Sequence, residues 1–149
     1  SGVGTGAQGM AGKNRWLFKQ EPESFGWKHL VAEGSTWWDG VTNALACKHL
    51  QAIRPNDMIL LYHTGKEKAV VAELRAVEGP ALPPSSSADA KPTVRVEPVR
   101  ALPRPVSLAE IKEDPALADW DLVRLPRLSV MPVSQAQWNR VCELAKTHA

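Results

Sequence analysis

Met58-Ile59-Leu60-Leu61-Tyr62-His63 is an unbroken apolar run that ends on a polar ring. It is too short for a packed helix and has no polar alternation, so it reads as a strand buried on both faces. Arg54-Pro55-Asn56-Asp57 leads into it. Gly65-Lys66-Glu67-Lys68 follows with hairpin-turn chemistry, and Ala69 to Val77 supplies the partner strand. Upstream, Arg15-Trp16-Leu17-Phe18-Lys19 is a second strand, stopped at Pro22; Ser24 then caps a short helix to about Ala32, ended by Gly34. Trp37-Trp38-Asp39-Gly40-Val41 has the composition of a loop. Asn43 to Ala52 is helical in period, with two candidate inner faces: Leu45, His49 and Ala52, or Ala46, Leu50 and Ile53.

Downstream, Gly79 to Pro92 is rich in Pro and Ser and reads as a surface loop. Thr93-Val94-Arg95-Val96-Glu97 alternates and continues as a half-exposed strand to about Leu102. Ser107 and Glu110 have capping-box spacing at the start of a helix. Residues 128–133 form a last strand, and Ser134 caps a C-terminal helix with Trp138, Val141, Cys142 and Ala145 on one side. The strand–helix order lacks the regular alternation of a doubly wound parallel sheet. The expected fold is a mixed α+β domain on a small, mostly antiparallel barrel or curved sheet.

At 149 residues and 16.3 kDa the chain has the size of one domain. Residues 1–12 are read as a flexible lead and residues 13–149 as that single domain. With 44% hydrophobic and 23% charged residues, general disorder is excluded. The longest uncharged apolar run, Met58 to Tyr62, is far short of the roughly 20 residues that span a bilayer, so no membrane partner is expected. A net charge of +2, spread evenly along the chain, gives no broad basic face for wrapping a duplex but leaves room for a small groove that meets a few phosphates. With Cys47 and Cys142 alone there is neither a disulfide framework nor a zinc pattern, and a reduced cytoplasmic setting is expected. Six Trp against two Phe and one Tyr point to an aromatic-walled pocket as well as an aromatic core.

No nucleophile elbow, P-loop, Rossmann glycine pattern or HExxH is present. Cys47 and His49 point to different faces of one helix and cannot share a metal; Glu21 and Glu23 read as a cap and a solvated charge. Neither metal, cofactor nor catalysis is expected. Trp38 to Asn43 admits two readings: a tight turn whose Asn43 caps the next helix, or a corner where backbone N–H groups and an amide sit beside an indole wall. The second suits a flat heterocycle, which stacks on the indole while the amides read its edge. His63 is a structural histidine or a site residue; Lys19, Arg127 and Ser129 are surface groups or contacts to phosphate or base.

Taken together, Trp16 to Pro22, Trp38 to Asn43, Leu61 to Thr64 and Arg127 to Val133 resemble the motifs of the EVE domain family in order and spacing. Arg104 to Leu108 followed by Pro115-Ala116-Leu117 fits the same pattern. The resemblance spans Trp16 to about Leu144, essentially the whole chain. It implies a PUA-like fold, a small mixed or antiparallel β-barrel with peripheral helices related to the YTH readers of methylated adenosine. It also implies a binder of modified nucleobases in DNA or RNA rather than a catalyst; the modest charge fits a single base on a single-stranded or flipped-out site, and a monomer is expected. Carried over by motif, Trp38 is the stacking wall, and Gly40, Val41 and Asn43 the floor and edge. Lys19, Gln20, Glu21 and Pro22 line the mouth, Tyr62 and His63 close another side, and Arg127 and Ser129 complete the polar rim. Gln20 stands where the family commonly has Ser, and Thr42 where it has Arg. Two other classes fit the residues: an enzyme on a modified nucleotide using Glu21 and His63, or a protein-interaction module anchored by an exposed Trp27 or Trp120.

Overall fold

In a computed structural model of the chain, residues 14–38, 41, 43–82 and 92–147 are described. The expected flexible lead lies outside them. The elements run β1 (Arg15–Gln20), α1 (Pro22–Phe25), α2 (Trp27–Glu33), β2 (Thr36–Trp37), α3 (Ala44–Ala52), β3 (Met58–His63), β4 (Ala69–Ala81), β5 (Thr93–Ser107), α4 (Leu108–Glu113), α5 (Asp121–Arg124), β6 (Val130–Val133) and α6 (Gln135–Thr147). One six-stranded sheet has the order β2-β5-β4-β3-β1-β6. β1 and β3 are parallel, in register from Arg15↔Met58 to Gln20↔His63, and the other neighbours are antiparallel. The sheet is thus mixed, and among the described residues the first and last strands of this order, β2 and β6, are not paired with each other.

β3 is buried along nearly its whole length, as its unbroken apolar sequence requires. β1 lies beside it, with Leu17 and Phe18 fully enclosed. Pro132 sits in β6, at the sheet edge, where a missing N–H costs least. The inner face of α3 is Ala46 and Leu50, continued by Ile53, while Leu45 is 41% exposed; the sheet chooses between the two faces that periodicity left open. Asp57 is 1% exposed and ties the entry to β3 down: its carboxylate accepts from the Asn14 N–H (3.2 Å), Trp16 Nε1 (3.0 Å) and the Arg54 N–H (2.9 Å). Among the described residues no helix is long and apolar enough to cross a membrane.

Several expectations need correction. The single helix from Ser24 to Ala32 is two helices, divided at Gly26. α1 begins at Pro22 after Glu21, so Ser24 is not its cap. Gly26 is extended, and a Cβ there would lie 3.0 Å from Pro22 Cα, tighter than side chains ordinarily sit. Gly34, at φ 82°, ends α2 as read. Trp37, assigned to a loop, pairs with Arg95 as half of β2. β4 runs on to Ala81 and β5 to Ser107, because the two long antiparallel strands carry each other past the Pro residues that suggested a loop. The C-terminal strand starts at Val130. Trp120 is no exposed anchor: it is 2% exposed and its Nε1 donates to the Pro132 carbonyl at 3.4 Å.

Candidate nucleic-acid interface

Parallel pairing of β1 and β3 brings the ends of two distant motifs together. Lys19 is opposite Tyr62 and Gln20 opposite His63. β6 approaches β1 from the other side, and the Lys19 N–H donates to the Ser129 carbonyl at 2.9 Å. Alternation along β1 sends Phe18 and Lys19 to opposite faces. The motif residues therefore flank one strand end from two sides.

On one side Lys19 Nζ donates to the Pro126 carbonyl at 2.8 Å and lies 5.6 Å from the centroid of the Tyr62 ring. Burial lowers the Lys19 pKa and raises that of Tyr62. Tyr62 is buried, so its ring face supports the cation from beneath rather than meeting solvent. Arg127 is exposed on the loop that carries Pro126.

On the other side Trp38 is 4% exposed, with its ring 4.9 Å from that of Phe18 and tilted by 37°. Its N–H donates to the Val94 carbonyl (2.9 Å), and its carbonyl accepts from the Thr93 hydroxyl. A cavity of about 260 Å³ is lined by Gln20, Phe25, Glu33, Thr36, Trp37 and Trp38. That is near the lower end of small-molecule pockets and suits a single small group rather than a large ligand. Val41 accepts from the Cys47 thiol through its carbonyl (3.3 Å), and Asn43 caps α3 by accepting the Ala46 N–H on Oδ1 (3.0 Å). Cap and contact are compatible, because the cap uses Oδ1 and the amide's Nδ2 is a separate donor. Gly40, together with Asp39 and Thr42, lies outside the described residues.

Glu21 and His63 are drawn to other partners. Glu21 accepts from the Thr64 hydroxyl at 3.3 Å. His63 accepts the Trp27 N–H on Nε2 (3.2 Å), which leaves Nδ1 to carry the proton toward Glu67 Oε1 (2.7 Å). With Pro22, His63 lines a separate groove of about 460 Å³ beside Trp27, Ala101 and Leu102. Of the residues nominated from sequence, Lys19, Gln20, Tyr62, His63 and Ser129 meet at the paired ends of β1 and β3, while Trp38 with Gln20 and His63 with Pro22 line two separate cavities. Two partners went unread, the Pro126 carbonyl and Phe25. A backbone carbonyl has no sequence signal at all.

Residues 14–144 match the EVE domain family. Thymocyte nuclear protein 1 of Rattus norvegicus is 30% identical over 88% of this chain and 73% of its own length. A solved protein from Agrobacterium tumefaciens superposes with a TM-score of 0.85 at 31% identity, covering 89% of this chain and 93% of that one. Human thymocyte nuclear protein 1 (THYN1), crystallised in complex with 5-methylcytosine-containing DNA, superposes with a TM-score of 0.77 at 28% identity, covering 91% and 99%. At the level of fold alone, an ASCH protein from Zymomonas mobilis is similar, with a TM-score of 0.52 at 13% identity.

Proposed function

We propose that this chain, which belongs to the EVE domain family, is a non-catalytic domain that takes one modified base of a nucleic acid over the ends of β1 and β3. The observation that carries the reading is the human relative crystallised with 5-methylcytosine-containing DNA. The chemistry of the strand end supports it. Trp37 offers indole surface beside the buried Trp38, and the Gln20 amide has both a donor and an acceptor to present to a base edge. Lys19 spends one N–H on Pro126 and keeps the others for a phosphate or a base carbonyl. Its partial desolvation strengthens such a bond.

Binding without turnover is favoured by the state of His63. A general base needs a free lone pair, and the one on Nε2 is already filled by the Trp27 N–H. Burial depresses the pKa of the Lys19 ammonium, which stays a donor rather than a nucleophile while bound to Pro126.

The test is a pull-down of cellular DNA and RNA by wild type and Lys19→Gln, followed by nucleoside mass spectrometry. One modified nucleoside should be enriched by wild type and reduced several-fold in the variant. Equal recovery of modified and unmodified nucleosides by wild type would refute a modified-base reader.

A further inference from the structure

On the β4–β5 face and the helices, arginines are held by carboxylates: Arg75 by Glu97, Arg95 by Glu78, Arg100 by Glu73, Arg104 by Glu110 and Arg140 by Asp114. Three cations lie around the end of β1. Lys66 and Lys68 on the turn after β3, and Arg127 on the loop before β6, are exposed and form no ion pair among the described residues. Glu67 stands between the two lysines in sequence, yet its carboxylate is turned to His63 Nδ1 at 2.7 Å. Glu21 lies beneath the turn, its carboxylate oxygens 3.0 Å from where a Gly65 Cβ would be, and it is engaged by Thr64. Glu67 and Glu21 are thus each engaged by a neighbour, and the three cations are exposed.

β3 and β6 are the two hydrogen-bonded neighbours of β1. At ordinary strand spacing their loops emerge about 10 Å apart, one on each side of Lys19. We propose that the 65–68 turn and the 125–129 loop form a two-sided clamp on a single nucleic-acid strand. Lys66 and Lys68 take the phosphate on one side of the bound nucleotide, and Arg127 takes the phosphate on the other. This rests on the base-binding reading above and adds to it the strand's path and a count of two phosphates. A near-neutral protein can hold one extruded nucleotide this way without a basic face for the duplex.

The clamp predicts a small, countable salt dependence. For a single strand, log K against log salt falls by about 0.7 per neutralised phosphate, so two contacts give a slope near −1.4. The full chain would be titrated between 50 and 200 mM salt with a fluorescent single-stranded oligodeoxynucleotide holding one central 5-methylcytosine, and with its cytosine counterpart. The double variant Lys66→Gln/Lys68→Gln and the single variant Arg127→Gln should each flatten the slope by about 0.7. Both should leave the ratio of methylated to unmethylated affinity unchanged, since phosphate contacts are blind to the base. Lys112→Gln, on exposed α4 surface, should change nothing. All four positions are exposed, and circular dichroism would confirm that each variant folds. Full slope in both clamp variants, or flattening in only one, overturns the two-sided clamp while base binding stands. If wild type binds neither oligonucleotide at 50 mM salt, the base-binding reading falls and takes the clamp with it.

Discussion

Replacing Trp38 by Ala should unfold much of what it is meant to probe. The side chain is 4% exposed, packs on Phe18 at 4.9 Å and lies on the main-chain tie between residue 38 and β5. An indole buries about 150–250 Å², so at about 25 cal/mol per Å² the transfer contribution alone is about 4–6 kcal/mol. Measured Trp→Ala costs run about 3–5 kcal/mol, since neighbours collapse only partly into the space. A domain of this kind is stable by about 5–15 kcal/mol in total. With a urea m-value of about 2 kcal/mol per M, the unfolding midpoint should fall by about 2 M. Trp38→Phe retains a ring against Phe18 and should cost about 1–2 kcal/mol. It is therefore the variant in which a lost ligand contact can be told from a lost fold. Urea titrations followed by far-ultraviolet circular dichroism measure both, with ligand titration on whichever protein is folded. A Trp38→Ala protein within 1 kcal/mol of wild type would show that the indole is not packed as described. A Trp38→Phe protein that is folded and binds modified oligonucleotide undiminished would remove Trp38 from the base-binding surface.

Glu110 sets an acid dependence. The Arg104 guanidinium, bonded at 2.7 Å and helped by the Ser107 N–H and hydroxyl, outweighs burial and brings its carboxyl from 4.5 to about 2. A depressed carboxyl stabilises the fold above pH 4.5, and that stability is lost as pH falls from about 4.5 toward about 2. The full shift corresponds to about 3 kcal/mol, and the partial exposure of the carboxylate reduces the expected effect to about 1–2 kcal/mol. Urea unfolding of wild type and Glu110→Gln should accordingly differ more at pH 7 than at pH 3, and an equal difference at both would contradict the linkage. Asp57→Ala strands three donors in the interior at about 1–3 kcal/mol each, less what relaxation recovers. The expected loss is about 3–5 kcal/mol by the same assay, and a loss below 1 kcal/mol would show that these donors find other partners.

What could be read from the sequence was what is decided within a few residues. Ser107 and Glu110 form their capping box, Asn43 caps α3, and Ser134 accepts the Gln137 N–H at the start of α6. Each is a hydrogen bond three residues long, so spacing and residue type suffice. The buried strand at Met58–His63 was equally legible, since no surface element can hold so many apolar residues in succession. The family motifs, each weak alone, were legible jointly because they recur in fixed order.

The rest depended on which elements meet. Periodicity offered two faces for α3, and only packing against the sheet selects Ala46 and Leu50. The break at Gly26 follows from a return past Pro22 that helix propensity does not register. The Lys19 ammonium finds the Pro126 carbonyl 107 residues away, and His63 is claimed by Trp27 and Glu67. By itself, then, the sequence determined the family and the α+β class. Tertiary structure decided the strand order of the mixed sheet, that Trp38 is packed beneath rather than displayed, and that the nominated residues divide between two faces of β1. The physical reason is alternation: one residue along a strand reverses a side chain's direction, and that reversal acquires meaning only when the strand has neighbours.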